Sequence, residues 1–523
     1  MSKTEVAGRR RGGRQARREL RAAPTPAEDR PVKPGMEGGL YRPLSDTDLE
    51  RIHLAALEML EQIGFNEAIP SCIELVTAAG GTLTAEGRLL FPRGLVEDAL
   101  AKAARRFTLH ALDPAHDIEP WGKKVHFGTG GAAVHMVDAE TGEYRESTLA
   151  DLYDIARLLD KMEHVHFVQR PIVVRDIESS RELDFNTCYA TLSGTAKHVG
   201  TSFFQPEHVE ETLRMLHLVA GGQDKWRARP FVSMSACFVV PPLKFAEDAC
   251  RCLEAGVRGG MPILLLAAGQ AGATSPAALA GAVAQEVAEV LAGLVYVNLI
   301  SPGHPCLFGT WPFVSDLRTG AMSGGSGEQA ILSAACAQMA QYYDLPGAVP
   351  AGMTDSKVPD AQSGFEKGYT VALAAQSGAN LIYESVGMHA SLLGFCLESC
   401  VIDNDMLGSI MRTVRGIEVT DENLSVEAVR QVCTEGPGHF LGHDQTLDLM
   451  EKAYVYPEVG DRSSPKEWIE MGSTNVVQRA RVRTREILDT HYPRHIDAEL
   501  DAKIRREFPV RLPLKNMSPK TEN

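Results

Sequence analysis

Several features are missing from this sequence, and each absence removes a class of function. Its ten cysteines include no CxxC pair, so neither a thioredoxin-type redox motif nor a zinc-ribbon spacing is present. Scattered through apolar or mixed segments, they read as reduced, mostly buried thiols of a cytoplasmic protein. No uninterrupted apolar run approaches the ~20 residues of a membrane helix. The arginine-rich start (Arg9, Arg10, Arg11, Arg14, Arg17, Arg18, Arg21) has no apolar run behind it and so reads as neither a secretory nor a twin-arginine signal. Acidic residues outnumber basic ones, 68 Asp/Glu against 53 Lys/Arg. The net charge is -15, and residues 1–33, with ten Lys/Arg against four Asp/Glu, leave about -21 on the remainder. A body of that sign disfavours duplex nucleic acid as a partner and favours solubility or the capture of cations. The Gly-rich GGSGEQ at 324–329 lacks the lysine of a P-loop and reads as a helix entry. No internal repeat is visible.

What is present is length, at 523 residues, and 44% hydrophobic content, enough for one large barrel with additions or for several domains. Residues 1–40 read as a disordered basic arm. Ser45, followed by Asp46 and Asp48, is a helix start, and residues 41–147 read as an N-terminal α+β region with short strands near 107–112, 125–128 and 134–138. From 148 to 405, apolar strand-like runs alternate with helical periodicity. Strands are expected at 165–174, 198–203, 231–240, 262–268, 294–300, 347–353, 379–383 and 399–403, with helices between most of them. Eight strands with crossover helices predict an α/β fold, a (β/α)8 TIM barrel; a doubly wound sheet uses the same elements. Residues 406–523 read as a C-terminal helical region and tail.

In such a barrel the residues just past each strand form the active face. Those positions hold Arg170 or Arg175, Phe204-Gln205, Gln270, His304, Asp355 with Lys357, Glu384 and Asp403-Asn404-Asp405. Aromatics mixed with carboxylates suit a small cationic or zwitterionic ligand, because a quaternary ammonium donates no N–H and is held by ring faces and negative charge. Phe204, Trp311 and Phe313 supply rings and Glu384 or Asp355 charge. Trp311 stands out because it lies in a loop, GTWPFVSD. Lys357, His304 or His389 would meet a ligand carboxylate. The bland readings are packing for the rings, a surface ion pair for Lys357 and structural roles for the histidines. A rival constellation, His304-Pro-Cys306 with Cys396 or Cys400, offers an open zinc site of the kind that activates thiols for alkylation. His439 and His443, in EGPGHFLGHDQT, belong to a lid, a partner contact or an ordinary connector.

The segments TDSKVPDAQSGFEKG (354–368), NLIYESVGMHASLLGF (380–395) and PGHFLGH (437–443) resemble the trimethylamine methyltransferase family, and the likeness extends from about residue 40 to 495. That resemblance implies a TIM barrel, self-association into a homo-oligomer, and transfer of a methyl group to a corrinoid held by a separate small corrinoid protein. The chain carries no D-x-H-x-x-G cobalt-ligand motif, so the corrinoid would arrive on the partner. Founding members of the family contain pyrrolysine, whereas this chain holds only the twenty standard residues. Members without pyrrolysine include glycine betaine methyltransferases, which makes a quaternary amine the expected donor. The expected site is Glu384 and Asp355 as catalytic groups, with Phe204, Gln205, His304, Trp311, Lys357 and His389 around the substrate. Two other classes remain open: a zinc-dependent thiol-methylating barrel, and a non-catalytic betaine-binding sensor.

Overall fold

A computed structural model describes residues 30–436 and 438–519. Eight parallel strands form its centre: β1 (Lys124–Phe127), β2 (Phe167–Gln169), β3 (His198–Thr201), β4 (Val232–Ala236), β5 (Ile263–Ala267), β6 (Cys306–Thr310), β7 (Gly347–Pro350) and β8 (Leu381–Tyr383). Each pairs with the next in parallel from β2 to β8, and β8 pairs with β1 through Leu381↔His126 and Ile382↔Phe127. A parallel bridge from Gly128 to Phe167 joins β1 to β2 and closes the ring. No side chain but hydrogen fits at Gly128, where a Cβ would lie 2.3 Å from the Phe167 ring.

One helix follows each strand: α1 (Leu149–Asp160), α2 (Ser180–Gly194), α3 (Pro206–Ala220), α4 (Glu247–Arg258), α5 (Leu279–Ile300), α6 (Gly327–Tyr342), α7 (Ala361–Gln376) and α8 (Leu397–Arg415). The order is a complete (β/α)8 barrel. Inside it, Phe167, Leu264, Leu266, Leu307, Ala348 and Leu381 fill the ring, alternating with residues that face the helices, as strand geometry requires.

Three expectations are corrected. Residues 294–300 are not a strand but the last two turns of α5. Their β-branched, apolar text reflects burial on both sides, since α5 is packed between β5 and β6 and the helices Asp46–Glu58, Pro70–Ala78 and Arg93–Lys102. A helix enclosed all round loses the polar stripe that marks its period. Residues 399–403 lie in α8, whose buried Val401, Leu407, Ile410, Met411 and Val414 continue the helical period. The two places are taken by β6, hidden by its shortness and by the Gly/Pro text before it, and by β1, which lies in the span read as a region ahead of the barrel. The third correction concerns the arm. Residues 1–29 fall outside the described residues, but Met36–Glu37 pairs antiparallel with Lys124–Val125 and the amides of Gly39 and Tyr41 donate to Gln376 O.

The described residues divide into two compact units, 34–415 with 457–519, and 30–33 with 416–436 and 438–456. The second holds helices Val426–Thr434 and Asp444–Lys452, and His439 and His443 belong to the connector between them. Among the described residues one helix, α5, is long and apolar enough to cross a membrane, and 89% of its apolar window is buried within the protein.

Candidate active site

The carboxyl-terminal end of the barrel is roofed on one side by the loops after β1 and β8. Strands Met388–His389, Gly394–Phe395, His135–Val137 and Tyr144–Glu146 from these loops join into one four-stranded sheet. Glu384 lies beneath it. It follows β8 directly, adopts a left-handed backbone (φ 63°) and is 0% exposed. Both carboxylate oxygens lack any hydrogen-bond partner. Gly130 and Gly131 press on it, since added Cβ atoms there would come within 3.2 Å of Glu384 Cγ and 3.1 Å of Oε1. Burial pushes the Glu384 carboxyl up to about 8, so near pH 7 it is largely protonated. A buried acid with neither a cation nor a donor costs stability unless a ligand completes it, and a left-handed non-glycine residue adds local strain of the sort that gathers at functional sites.

Tyr383, the last residue of β8, points into the barrel. Its ring meets Trp311 at 5.3 Å and Phe167 at 4.7 Å, and Trp311 meets Phe313 at 6.4 Å. Trp311 sits one residue past β6, and its buried indole Nε1 has no partner. The structure therefore brings Trp311 and Phe313 together as the sequence predicts and adds Tyr383, overlooked because a tyrosine in an apolar strand reads as core. Ring faces and an unpaired carboxyl are the groups that a cation without N–H donors requires, and here they occupy successive positions, Tyr383 and Glu384.

The remaining charged residues of the TDSK segment hold loops. Asp355 accepts from Ser323 Oγ (2.6 Å), Gly324 N (2.8 Å) and Ser391 Oγ (2.8 Å), which ties the loops after β6, β7 and β8. Glu366, on α7, accepts from Thr354 Oγ1 (2.5 Å) and Asp355 N (2.8 Å). Lys367 pairs with Asp403 at 2.7 Å with both buried, and Asp403 also takes Gly387 N at 2.8 Å. Asp403 is thus a brace beneath the Glu384 loop and no strand-end ligand. Asn404 caps His164 N, and Asp405 takes three amides of 458–460. Lys357 is exposed and donates to Asp355 O (2.5 Å). It lines a rim cavity of about 430 Å³ with Asp355, Asp316, Ser391 and Leu393.

The histidines move furthest from expectation. His304 precedes β6, because 294–300 is helix, and so lies at the amino-terminal end of the barrel, where Nε2 bonds Met261 O at 2.7 Å. Burial lowers its pKa. His389 is fully buried against Ser399 Oγ (2.7 Å). Burial, and Lys367 nearby, hold it well below the usual imidazole range, so it is neutral. Phe204 is half exposed and Gln205 caps α3; the Phe204 ring makes no contact with Trp311 or Tyr383 among the described residues. Cys306 begins β6 and Cys400 lies in α8, which separates the proposed zinc ligands. No group of three metal-ligating side chains occurs among the described residues.

The family model for trimethylamine methyltransferase (MTTB) matches residues 10–511. The chain belongs to the trimethylamine methyltransferase family. It is 34% identical over 471 residues to the trimethylamine methyltransferase MttB of Desulfitobacterium hafniense (strain DSM 10664 / DCB-2), with 90% of this chain and 94% of that protein covered. It is 32% identical to the MttB of Methanosarcina thermophila, over 89% of this chain and 96% of the relative. The glycine betaine methyltransferase of D. hafniense (strain Y51) is 28% identical, over 89% of this chain and 96% of that one. Among solved structures, a dihydropteroate synthase of Xanthomonas albilineans matches with a TM-score of 0.35 and 13% identity, over 60% of this chain and 99% of that one, a likeness too distant to carry weight. Membership makes this member of the trimethylamine methyltransferase family a methyltransferase, and its barrel mouth the place to look for the methyl donor.

Proposed function

We propose that this barrel moves a methyl group from a quaternary amine, with glycine betaine the first candidate, to the Co(I) corrinoid of a separate corrinoid protein. The observation that carries the reading is Glu384, a fully buried carboxyl with both oxygens free, next in sequence to a ring packed on Trp311. The corrinoid supplies the nucleophile for the methyl carbon. The C–N bond breaks with its electron pair on nitrogen, so a quaternary donor leaves as a neutral tertiary amine with no proton required. Trimethylamine lacks that leaving group, and with only the twenty standard residues the chain has no pyrrolysine to create one.

The residues then have positioning and electrostatic work. Trp311, Tyr383 and Phe313 offer ring faces to the ammonium, and Glu384 provides its counter-charge by losing a proton as the cation enters. Because an empty Glu384 is protonated, part of the ion-pair energy goes into releasing that proton, so the ground-state cation is held less tightly than by a carboxylate already ionised. The roof sheet sheds water from one side and fixes the approach of the methyl group. Asp355, Glu366 and the Lys367–Asp403 pair hold the three loops in register.

The test follows the Co(I) absorption band of a corrinoid protein mixed with this enzyme and a panel of methylated amines. Methylation of the corrinoid with glycine betaine and not trimethylamine, lost in Glu384→Ala, supports the reading. Undiminished transfer by Glu384→Ala sinks the site assignment. Ligand binding without turnover on any corrinoid partner points instead to a sensor.

A further inference from the structure

The sequence offers Lys357, His304 and His389 for an anionic end of the ligand, and the structure gives all three other roles: Lys357 is exposed on the rim, His304 is at the far end of the barrel, and His389 is neutral within the roof sheet. Other cations near the strand ends are engaged too. Lys367 is paired with Asp403, and Arg175 lies 3.6 Å from Glu146.

Arg170 differs. It is the first residue after β2, where its backbone N–H donates to Gly200 O (3.1 Å) and fixes the chain at the mouth. Among the described residues its guanidinium makes no hydrogen bond and no ion pair. It is partly exposed, yet so recessed that burial lowers its pKa. Its electrostatic neighbours are Asp184 and the thiol of Cys237. Cys237 shares the inward register of Ser233 and Ser235, whose partners Gly200 and Leu264 face the barrel interior, and it is exposed. Arg170 and Cys237 thus stand just past the carboxyl-terminal ends of β2 and β4, at the rim of the barrel.

Asp184, on α2, supplies a second and independent observation. It is 0% exposed. One oxygen takes Phe204 N (2.8 Å) and His208 Nδ1 (2.7 Å), while the other, Oδ1, has no partner. A buried carboxylate oxygen left open within the field of an unpaired guanidinium keeps that guanidinium charged without occupying its donors. Those donors form a planar fork that matches a carboxylate in two parallel hydrogen bonds.

We infer that Arg170 is the anion-binding residue of the barrel mouth and selects a donor that carries a carboxylate as well as a quaternary ammonium. β2 is separated from β8 by β1 alone, so Arg170 and Glu384 stand two strands apart on the rim, and the ligand they hold between them is a small zwitterion. This rests on the ammonium reading of Glu384 and the rings, and the test separates the two.

Isothermal titration of the full-length protein at fixed pH compares glycine betaine with tetramethylammonium, which has the cation and lacks the anion. Wild type is expected to bind glycine betaine at least tenfold tighter. Arg170→Gln is expected to lose ten- to a hundredfold for glycine betaine, the scale of a charge-assisted pair, and to keep tetramethylammonium within twofold. Arg170→Lys, which keeps the charge and loses the fork, falls between. Unchanged glycine betaine affinity in Arg170→Gln, with tetramethylammonium still bound, overturns the role of Arg170 and leaves the ammonium site standing. Failure of wild type to bind either ligand overturns both. Retained tetramethylammonium binding also certifies that the Arg170→Gln protein is folded, and if that variant does not fold, equal loss of both ligands in Arg170→Lys overturns the inference.

Discussion

At the scale of single residues, Glu384 sets the strongest expectation. Its pKa of about 8 means that an entering cation must displace a proton below that pH. Tetramethylammonium affinity should therefore rise roughly tenfold per pH unit from pH 6 to about 8 and then level off, with proton release visible as a buffer-dependent binding enthalpy. Glu384→Gln should bind more weakly and show no such slope. Stability has the opposite sense. An unfolded glutamate ionises at its ordinary value while the folded one stays protonated, so the unfolded state binds fewer protons between about pH 4.5 and 8 and stability falls across that window. The melting-temperature advantage of Glu384→Gln over wild type should accordingly grow from pH 5 to pH 8, and a pH-independent difference would contradict the buried, unpaired acid. Trp311→Leu should lose about 0.5–2 kcal/mol of cation affinity, read by the same titration. Glu384 was legible in the sequence because a charged residue closing an apolar strand is conspicuous. Tyr383 and Arg170 were less so: an aromatic at a strand end looks like core, and whether an arginine is paired is a fact about its neighbours in space.

At the scale of elements, α7 acts as a clamp. Its consecutive Glu366 and Lys367 grip different loops, the first through Thr354 and Asp355 after β7, the second through Asp403 and thence Gly387 after β8. Lys367→Met leaves Asp403 as an uncompensated buried charge and should cost about 3–5 kcal/mol in urea unfolding, while Lys367→Met with Asp403→Leu should recover much of it. Glu366→Ala should act differently, by freeing the 354–356 loop, with a larger fall in kcat than in thermal stability; equal wild-type turnover would show that this loop has no part in the reaction. The motif that reads as a catalytic cluster, TDSK through FEKG, is thus largely a self-bracing loop. Hydrophilic residue types and strand-end positions were visible in the sequence. Their saturation by hydrogen bonds from Ser323, Gly324 and Ser391 was not, since those partners come from other turns of the barrel.

At the scale of the whole molecule, the ring closes where β1 pairs with β8, the first and last barrel strands in sequence, and the segment Pro34–Tyr41 is strapped across β1. Gly38 is packed so tightly that a Cβ would lie 2.1 Å from Ala375 O. A chain lacking residues 1–41 should melt several degrees below one lacking residues 1–29, because Met36–Glu37 covers the exposed edge of Lys124–Val125. Equal melting temperatures would show that the strap contributes nothing. Alternating apolar runs and helical periods pointed to a (β/α)8 barrel and put Glu384 at a strand end, because strand period and helix period are local signals, while the motifs at 354–368 and 380–395 carried the resemblance to the trimethylamine methyltransferase family. Tertiary structure alone decided which runs are strands, since the enclosed α5 and the short β6 differ in surroundings more than in composition. It alone decided that Asp355 is satisfied while Glu384 is not, because hydrogen-bond saturation depends on groups that only the closed barrel brings within reach.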